Sequence, residues 1–220
     1  MSNQIVRFFV VLFLISAVSA GLLGWVNYIT APVIARRAAE EAARARKEVL
    51  PDADSFLAVS EDILAKLKER YPLIKEVYAG LKDRDMAGFV FTVNPKGYSS
   101  EIVTMIGMTR DGINMVRIIS QGETPGVGTK ITDGNNPDDF MGEKNLKRLQ
   151  SSGLSRELAL SKDGGSIQAV TGATVSSRAV MSGINAARDA FKWILDNYQD
   201  PADIIPKDNR TAEAEGGGNP

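Results

Sequence analysis

Twenty-two consecutive residues without a charge, Phe8 to Ile29, constrain this chain more than any other feature. At about 1.5 Å per residue a helix of that length covers roughly 33 Å, the depth of a bilayer's hydrocarbon core. Trp25 and Tyr28 stand near one end, where amphipathic rings favour the interface. A cleaved leader is the alternative, with Arg7 ahead of the apolar run and Val18–Ala20 as a small-residue cleavage site. The run continues past Gly21 through Leu22, Leu23, Trp25 and Val26, which favours one uncleaved span. Before the span lie only Arg7 and the amino terminus; soon after it lie Arg36, Arg37, Arg44, Arg46 and Lys47. Applied alone, the positive-inside rule puts the rest of the chain in the cytoplasm.

The remainder is long enough for one core of ordinary size. A formal net charge of −1 lacks the basic footprint of a nucleic-acid binder, so no nucleic acid is expected as a partner. The chain has no histidine and no cysteine. That removes ordinary structural zinc sites, self-ligated iron–sulfur clusters and Ser-His-Asp or Cys-His triads. No metal ligand set and no catalytic acid–base pair can be argued. Redox chemistry on such a chain needs a bound organic cofactor.

Residues 1–7 read as a short tail, 8–29 as the span and 30–50 as a helical stalk rich in Ala, Glu and Arg. Pro32 kinks that helix or marks a fresh start. A domain over 51–200 and a polar, Gly-rich, disordered tail over 201–220 follow. Ser60 can cap a short helix reaching about Tyr71. From Ile74 to Ile119 the apolar period changes, and an antiparallel meander of about four strands is expected, with Asp111-Gly112 in a tight turn. The glycine-rich stretch Gly122–Ile131 ends the meander as a loop. Glu143–Gln150 suggests a short helix, and "ELAL" and "SIQAV" suggest one or two more strands around the "KDGG" turn. Val180, Ile184, Ala187, Phe191, Ile194, Leu195 and Tyr198 trace one apolar face of a final helix that stops before Pro201. The fold class is therefore α+β.

"TGAT", Thr171–Thr174, sits where an apolar run meets that final helix. One reading makes Thr174 or Ser176 a helix N-cap. The other uses the same geometry differently. A helix N-terminus offers free N–H groups and partial positive charge to a phosphate, and a threonine hydroxyl there can be esterified to it.

"VTGATVSS", with "GETPGVG" about fifty residues upstream and one N-terminal span, resembles the RnfG component of the Rnf ion-translocating electron-transport complexes. It is also similar to the related NqrC component of the sodium-translocating NADH:quinone reductase, which shares the FMN-binding domain; length and C-terminal layout favour the Rnf protein. The resemblance implies an FMN-binding domain over 51–200, with an antiparallel sheet and flanking helices. It implies one covalent FMN per chain, held through a phosphoester on Thr174 and installed by a flavin transferase. Thr171, Gly172 and Ala173 complete the motif, and Glu123, Thr124, Pro125 and Gly126 match a second loop near the flavin. The family motif usually carries an aspartate six residues before the acceptor; this chain has Gln168 there and Asp163 further upstream. Backbone N–H groups of the Gly122–Gly128 loop, with Ser176 or Ser177, are expected to orient the cofactor. Lys130 or Arg178 would favour its reduced anionic form, or be surface charges.

The expected role is that of an electron-relaying, non-autonomous component of a translocating oxidoreductase. Its expected partners are the other Rnf subunits, the flavin transferase during maturation, and the membrane. The expected place is the inner (cytoplasmic) membrane, with the domain on the periplasmic or outer face, against the charge count. A membrane-anchored, cofactor-free assembly domain, with Thr174 only a cap, is the alternative.

Overall fold

The computed structural model describes residues 2–83, 85–154, 157–198 and 201–206. It divides into two units, Met1–Ala43 and Arg44–Pro220. Helix α1 runs from Ser2 to Val49. It continues through Pro32, so that residue does not begin a new helix. Large apolar side chains are exposed along it from Ile5 to Ile34. Among the described residues it is the one helix long and apolar enough to cross a membrane.

The second unit is built on a five-stranded antiparallel meander, β1 (Ser55–Ala58), β2 (Ile74–Lys82), β3 (Asp85–Val93), β4 (Val103–Thr109) and β5 (Gly112–Ser120), in chain order across the sheet. The four expected strands are present, and β1 adds an edge by pairing Phe56 with Gly80 and Ala58 with Tyr78. Helix α2 (Glu61–Arg70) begins after Ser60 and ends at Tyr71 as expected, though the Ser60 side chain makes no capping bond. Helix α3 (Glu143–Gln150) and helix α4 (Thr174–Asn197) complete the unit.

Side chains alternate across a strand, so Phe89, Phe91 and Val93 share one face of β3 while Gly88 and Val90 share the other. The first face meets α4. Phe191 stands edge-on to Phe89 and Phe91, with ring centroids 5.9 and 6.4 Å apart. Val180, Ile184, Ala187, Phe191 and Ile194 of the expected apolar face are buried, whereas Leu195 is exposed. Each large apolar side chain so buried stabilises the fold by about 1.5–3 kcal/mol.

The opposite face receives the last turn of α1. Gly80 and Gly88 are register partners, and Gly107 lies beside Val90 on β4. Val49 and Leu50, both fully buried, occupy the space these glycines leave. A Cβ at Gly107 would stand 1.9 Å from the Val49 carbonyl oxygen, and one at Gly80 would stand 2.5 Å from Leu50 Cδ2. The Asn114 amide donates to that Val49 carbonyl at 2.8 Å, and the Arg46 guanidinium lies 4.3 Å from the Tyr78 ring centroid.

Two expectations change. "ELAL" and "SIQAV" do not form strands: Leu160 and Ile167 meet in an isolated parallel bridge. The turn between them folds back too tightly for a ladder, since a Cβ at Gly165 would lie 1.9 Å from the Ala159 carbonyl oxygen. The chain after α4 is not uniformly polar tail either. Pro201–Ile204 makes a 3₁₀ turn, and Ile204 and Ile205 are buried, because apolar side chains there reach the core beside α2. The Ile204 carbonyl accepts from the Ser60 N–H at 2.9 Å. The rest of the expected tail, 207–220, lies outside the described residues.

Candidate functional site

The turn ahead of α4 explains the spacing of "TGAT". The Ala173 N–H donates to the Val170 carbonyl at 3.1 Å, closing a four-residue turn whose third residue is Gly172, at φ +84°. A turn of that form needs a residue free of Cβ strain at this position. Ala173 is then the N-cap residue, and no side chain caps the helix. The capping reading of Thr174 and Ser176 is therefore replaced: Thr174 is the first helical residue, and its hydroxyl accepts no backbone N–H. The N–H groups of Thr174, Val175 and Ser176 find no acceptor among the described residues, as the first turn of a helix dictates.

Thr174 is half-buried and opens into a cavity of about 510 Å³. That lies within the range of about 300–1,000 Å³ usual for small-molecule sites. Gly172, Ala173, Thr174 and Ser176 form one wall, and Glu123, Thr124, Val127 and Gly128 form another. Topology thus brings together two segments about fifty residues apart. Lys162 and Tyr98 complete the lining. The Lys162 ammonium donates to Thr174 Oγ1 at 3.3 Å, so a cation stands at the hydroxyl itself. Sequence reasoning assigned neither Lys162 nor Tyr98; the only signal was the "KDGG" turn, whose Asp163 holds the Arg178 guanidinium at 2.8 and 2.6 Å. Arg178 is thereby paired, and that pairing holds the Asp163 carboxyl below its usual range. Lys130 is exposed and, like Arg178, lies off the cavity wall.

Glu123 is the centre of the construction. It is only 4% exposed. Its Oε1 accepts from the N–H groups of Ser99 at 3.0 Å and Ser100 at 3.1 Å. Its Oε2 accepts from the Tyr98 N–H at 3.2 Å and from the Ser176 hydroxyl. Burial pushes the carboxyl up, but the Ser176 hydroxyl and the three backbone donors outweigh it and hold it below the usual glutamate range. The carboxylate so ties the turn after β3, the glycine-rich loop and the first turn of α4. A Cβ at Gly97 would lie 2.6 Å from its Oε1, so only glycine lets that turn close on it.

The loop N–H groups divide. Those of Gly122, Glu123, Gly126 and Val127 are bonded to Ser100 Oγ, Gln121 Oε1, Thr129 Oγ1 and the Thr124 carbonyl. Those of Thr124 and Gly128, both on the cavity wall, find no acceptor among the described residues. Pro125, Gly126, Thr171 and Ser177 lie beside the cavity rather than on its wall. Ser177 is buried, its hydroxyl accepting from the Val170 N–H at 3.1 Å and donating to the Ala173 carbonyl at 2.9 Å. The Gln168 side chain is exposed, and its backbone is clamped by Asn145 at 3.0 Å on both sides.

Chemically, the arrangement offers an accessible hydroxyl, a helix N-terminus, an ammonium and two free backbone donors around one chamber. That set suits a phosphoryl group.

Two family profiles match the chain: the FMN-binding domain over residues 97–189 and the RnfG N-terminal region over residues 1–49. The G component of the Na(+)-translocating ferredoxin:NAD(+) oxidoreductase complex of Acetobacterium woodii is 34% identical over 190 residues, covering 83% of this chain and 89% of that one. The G component of the proton-translocating ferredoxin:NAD(+) oxidoreductase complex of Clostridium ljungdahlii is 29% identical, covering 77% of this chain and 82% of that one. The crystal structure of Shewanella oneidensis NqrC aligns with 69% of this chain and 88% of that one, at 17% identity and a TM-score of 0.46. With a cavity shaped by the residues of both matching loops, and relatives similar over most of their length, this chain belongs to the RnfG family.

Proposed function

We propose that this chain is the membrane-anchored flavoprotein subunit of an ion-translocating ferredoxin:NAD oxidoreductase complex, with FMN esterified through its phosphate to Thr174. The observation that carries the ester is the uncapped Thr174 hydroxyl, facing a cavity of about 510 Å³ with Lys162 at 3.3 Å. FMN, when bound, supplies the one- and two-electron chemistry that a chain without Cys or His lacks.

The protein's own groups hold and screen it. The N–H groups of Thr174, Val175 and Ser176 would hold a phosphodiester on Thr174, a helix-end interaction of about 0.3–1 kcal/mol when exposed. Lys162 would supply the counter-charge, and Thr124 and Gly128, whose N–H groups find no acceptor among the described residues, line the same chamber. Glu123 acts as a brace, its four acceptor contacts already filled by protein donors. Ser176 and Ser177 act with it, fixing the first turn of α4. During maturation a flavin transferase would break the pyrophosphate bond of a flavin dinucleotide donor, joining the FMN phosphorus to Thr174 Oγ1 as the hydroxyl proton is lost and releasing the nucleoside monophosphate.

The apolar length of α1 supports anchoring in a membrane, and the family resemblance implies the cytoplasmic one. We place the second unit on its outer face, as the family resemblance implies and against the count of Arg and Lys after the span. Electron exchange is with the other subunits of the complex.

The test is the full chain co-expressed with a flavin transferase. Flavin fluorescence on a denaturing gel, and a mass gain of one FMN less one water, support the ester; both vanish in Thr174→Val. A wild-type polypeptide from its native membrane weighing only its amino acids refutes it. For topology, proteolysis of intact spheroplasts is expected to remove the second unit, and protection refutes the outer placement.

A further inference from the structure

Beyond α1, large apolar side chains are exposed at four places among the described residues: Tyr98 at 72%, Val127 at 42%, Val175 at 50% and Leu195 at 38%. Scattered exposed apolar residues need no explanation. Three of these four, however, line the single cavity that holds Thr174. They come from three separate segments: the turn after β3, the glycine-rich loop and the first turn of α4. Convergence of that kind marks a surface kept for an apolar ligand.

We infer that Tyr98, Val127 and Val175 form the seat for the flat isoalloxazine ring of the flavin, with Tyr98 as the stacking side chain; this rests on the flavin reading of the cavity. The lining supports it. The Lys162 ammonium stands 3.3 Å from the Thr174 hydroxyl, where a phosphoryl group belongs. The apolar side chains supply what a phosphate does not use and a tricyclic ring does. Tyr98 also stands on a fixed base. Its N–H donates to the buried Glu123 carboxylate at 3.2 Å, and the next two N–H groups bind the same carboxylate. The backbone at Tyr98 is therefore held while the ring projects into the open, an arrangement that loses little freedom on stacking. Tyr98 is a positioning residue for the cofactor. Because its phenol stays accessible, one edge of the seat remains open to a neighbouring electron carrier.

The experiment compares the full chain, wild type, Tyr98→Phe and Tyr98→Ala, each loaded by co-expression with the transferase and purified in detergent. Mass measurement first establishes loading. A wild type that carries no flavin overturns the reading beneath the proposal, and the seat with it. On loaded protein, flavin emission and its quenching by iodide are read. A tyrosine phenol quenches flavin emission on contact; a phenylalanine ring keeps the shape and lacks the donor. Emission is expected to rise about threefold or more in Tyr98→Phe, the occupancy ratio that an aromatic pair of ordinary strength sustains. Iodide quenching is expected to stay at the wild-type level in Tyr98→Phe and to increase in Tyr98→Ala, where one face of the ring is bared. A role limited to folding would move neither quantity in Tyr98→Phe. Equal emission and equal iodide quenching in all three loaded proteins refute the seat while leaving the ester intact.

Discussion

Replacing Glu123 by glutamine removes a charge but almost no volume, and the hydrogen bonds make its cost calculable. Oε1 serves Ser99 and Ser100, and Oε2 serves Tyr98 and Ser176. An amide has one oxygen, so either orientation turns an NH₂ group onto two donors. With Oε1 kept as oxygen, the Ser176 hydroxyl can rotate away, but the Tyr98 N–H cannot. An orphaned buried donor costs about 1–3 kcal/mol, and bonds to a charged acceptor are worth about 1.5–3 kcal/mol each. A loss of about 2–4 kcal/mol follows. For a unit of this size that is about 4–16 °C in the thermal midpoint. The assay is thermal unfolding of the detergent-purified full chain, followed by circular dichroism across pH. The folded pKa of Glu123 lies below its unfolded one, so its contribution is complete above the unfolded value and is lost as pH falls through the folded value. The wild type should therefore lose stability on the acid side of the ordinary glutamate range, and Glu123→Gln should lack that part of the decline. A variant that melts within about 1 °C of wild type, with an unchanged acid limb, would refute the brace.

Thr174→Val should abolish covalent flavin yet melt within about 2 °C of the unmodified wild type, since its hydroxyl caps nothing; mass and thermal midpoint check both. Lys162→Gln should slow flavin transfer to Thr174 by about 1.5–5-fold, the worth of an exposed charge contact, and raised salt should erase the difference. Gly107→Ala should cost more than about 3 kcal/mol or prevent folding, because its Cβ meets the Val49 carbonyl oxygen, whereas Gly21→Ala, with nothing within 4 Å, should be harmless; detergent-extractable yield and midpoint distinguish them.

The sheet was legible because its strands carry long apolar or β-branched runs bounded by turn residues. The four residues of β1 carry too little pattern to stand out, and they pair only because β2 has a free edge. "ELAL" and "SIQAV" carried strand-like composition, but the close fold-back at Gly165 left room for one bridge. At the site, the motif on α4 was legible because glycine and threonine sit where a turn must become a helix. What the carboxylate of Glu123 touches was not, since its donors at 98–100 and at 176 are distant in sequence. Lys162 and Tyr98 lie 12 and 76 positions from Thr174 in the chain, and only the folded path makes them its neighbours.

The glycine-floored groove under Val49 and Leu50 has a practical corollary for anyone wishing to handle the water-facing portion alone. The frontier between greasy and wet sequence is not the frontier of the cooperative unit, because residues 44–50 roof the sheet. A chain shortened to begin at Pro51 would bare Gly80, Gly88 and Gly107 and rob the Asn114 amide of its acceptor. One beginning at or before Arg44 retains that roof.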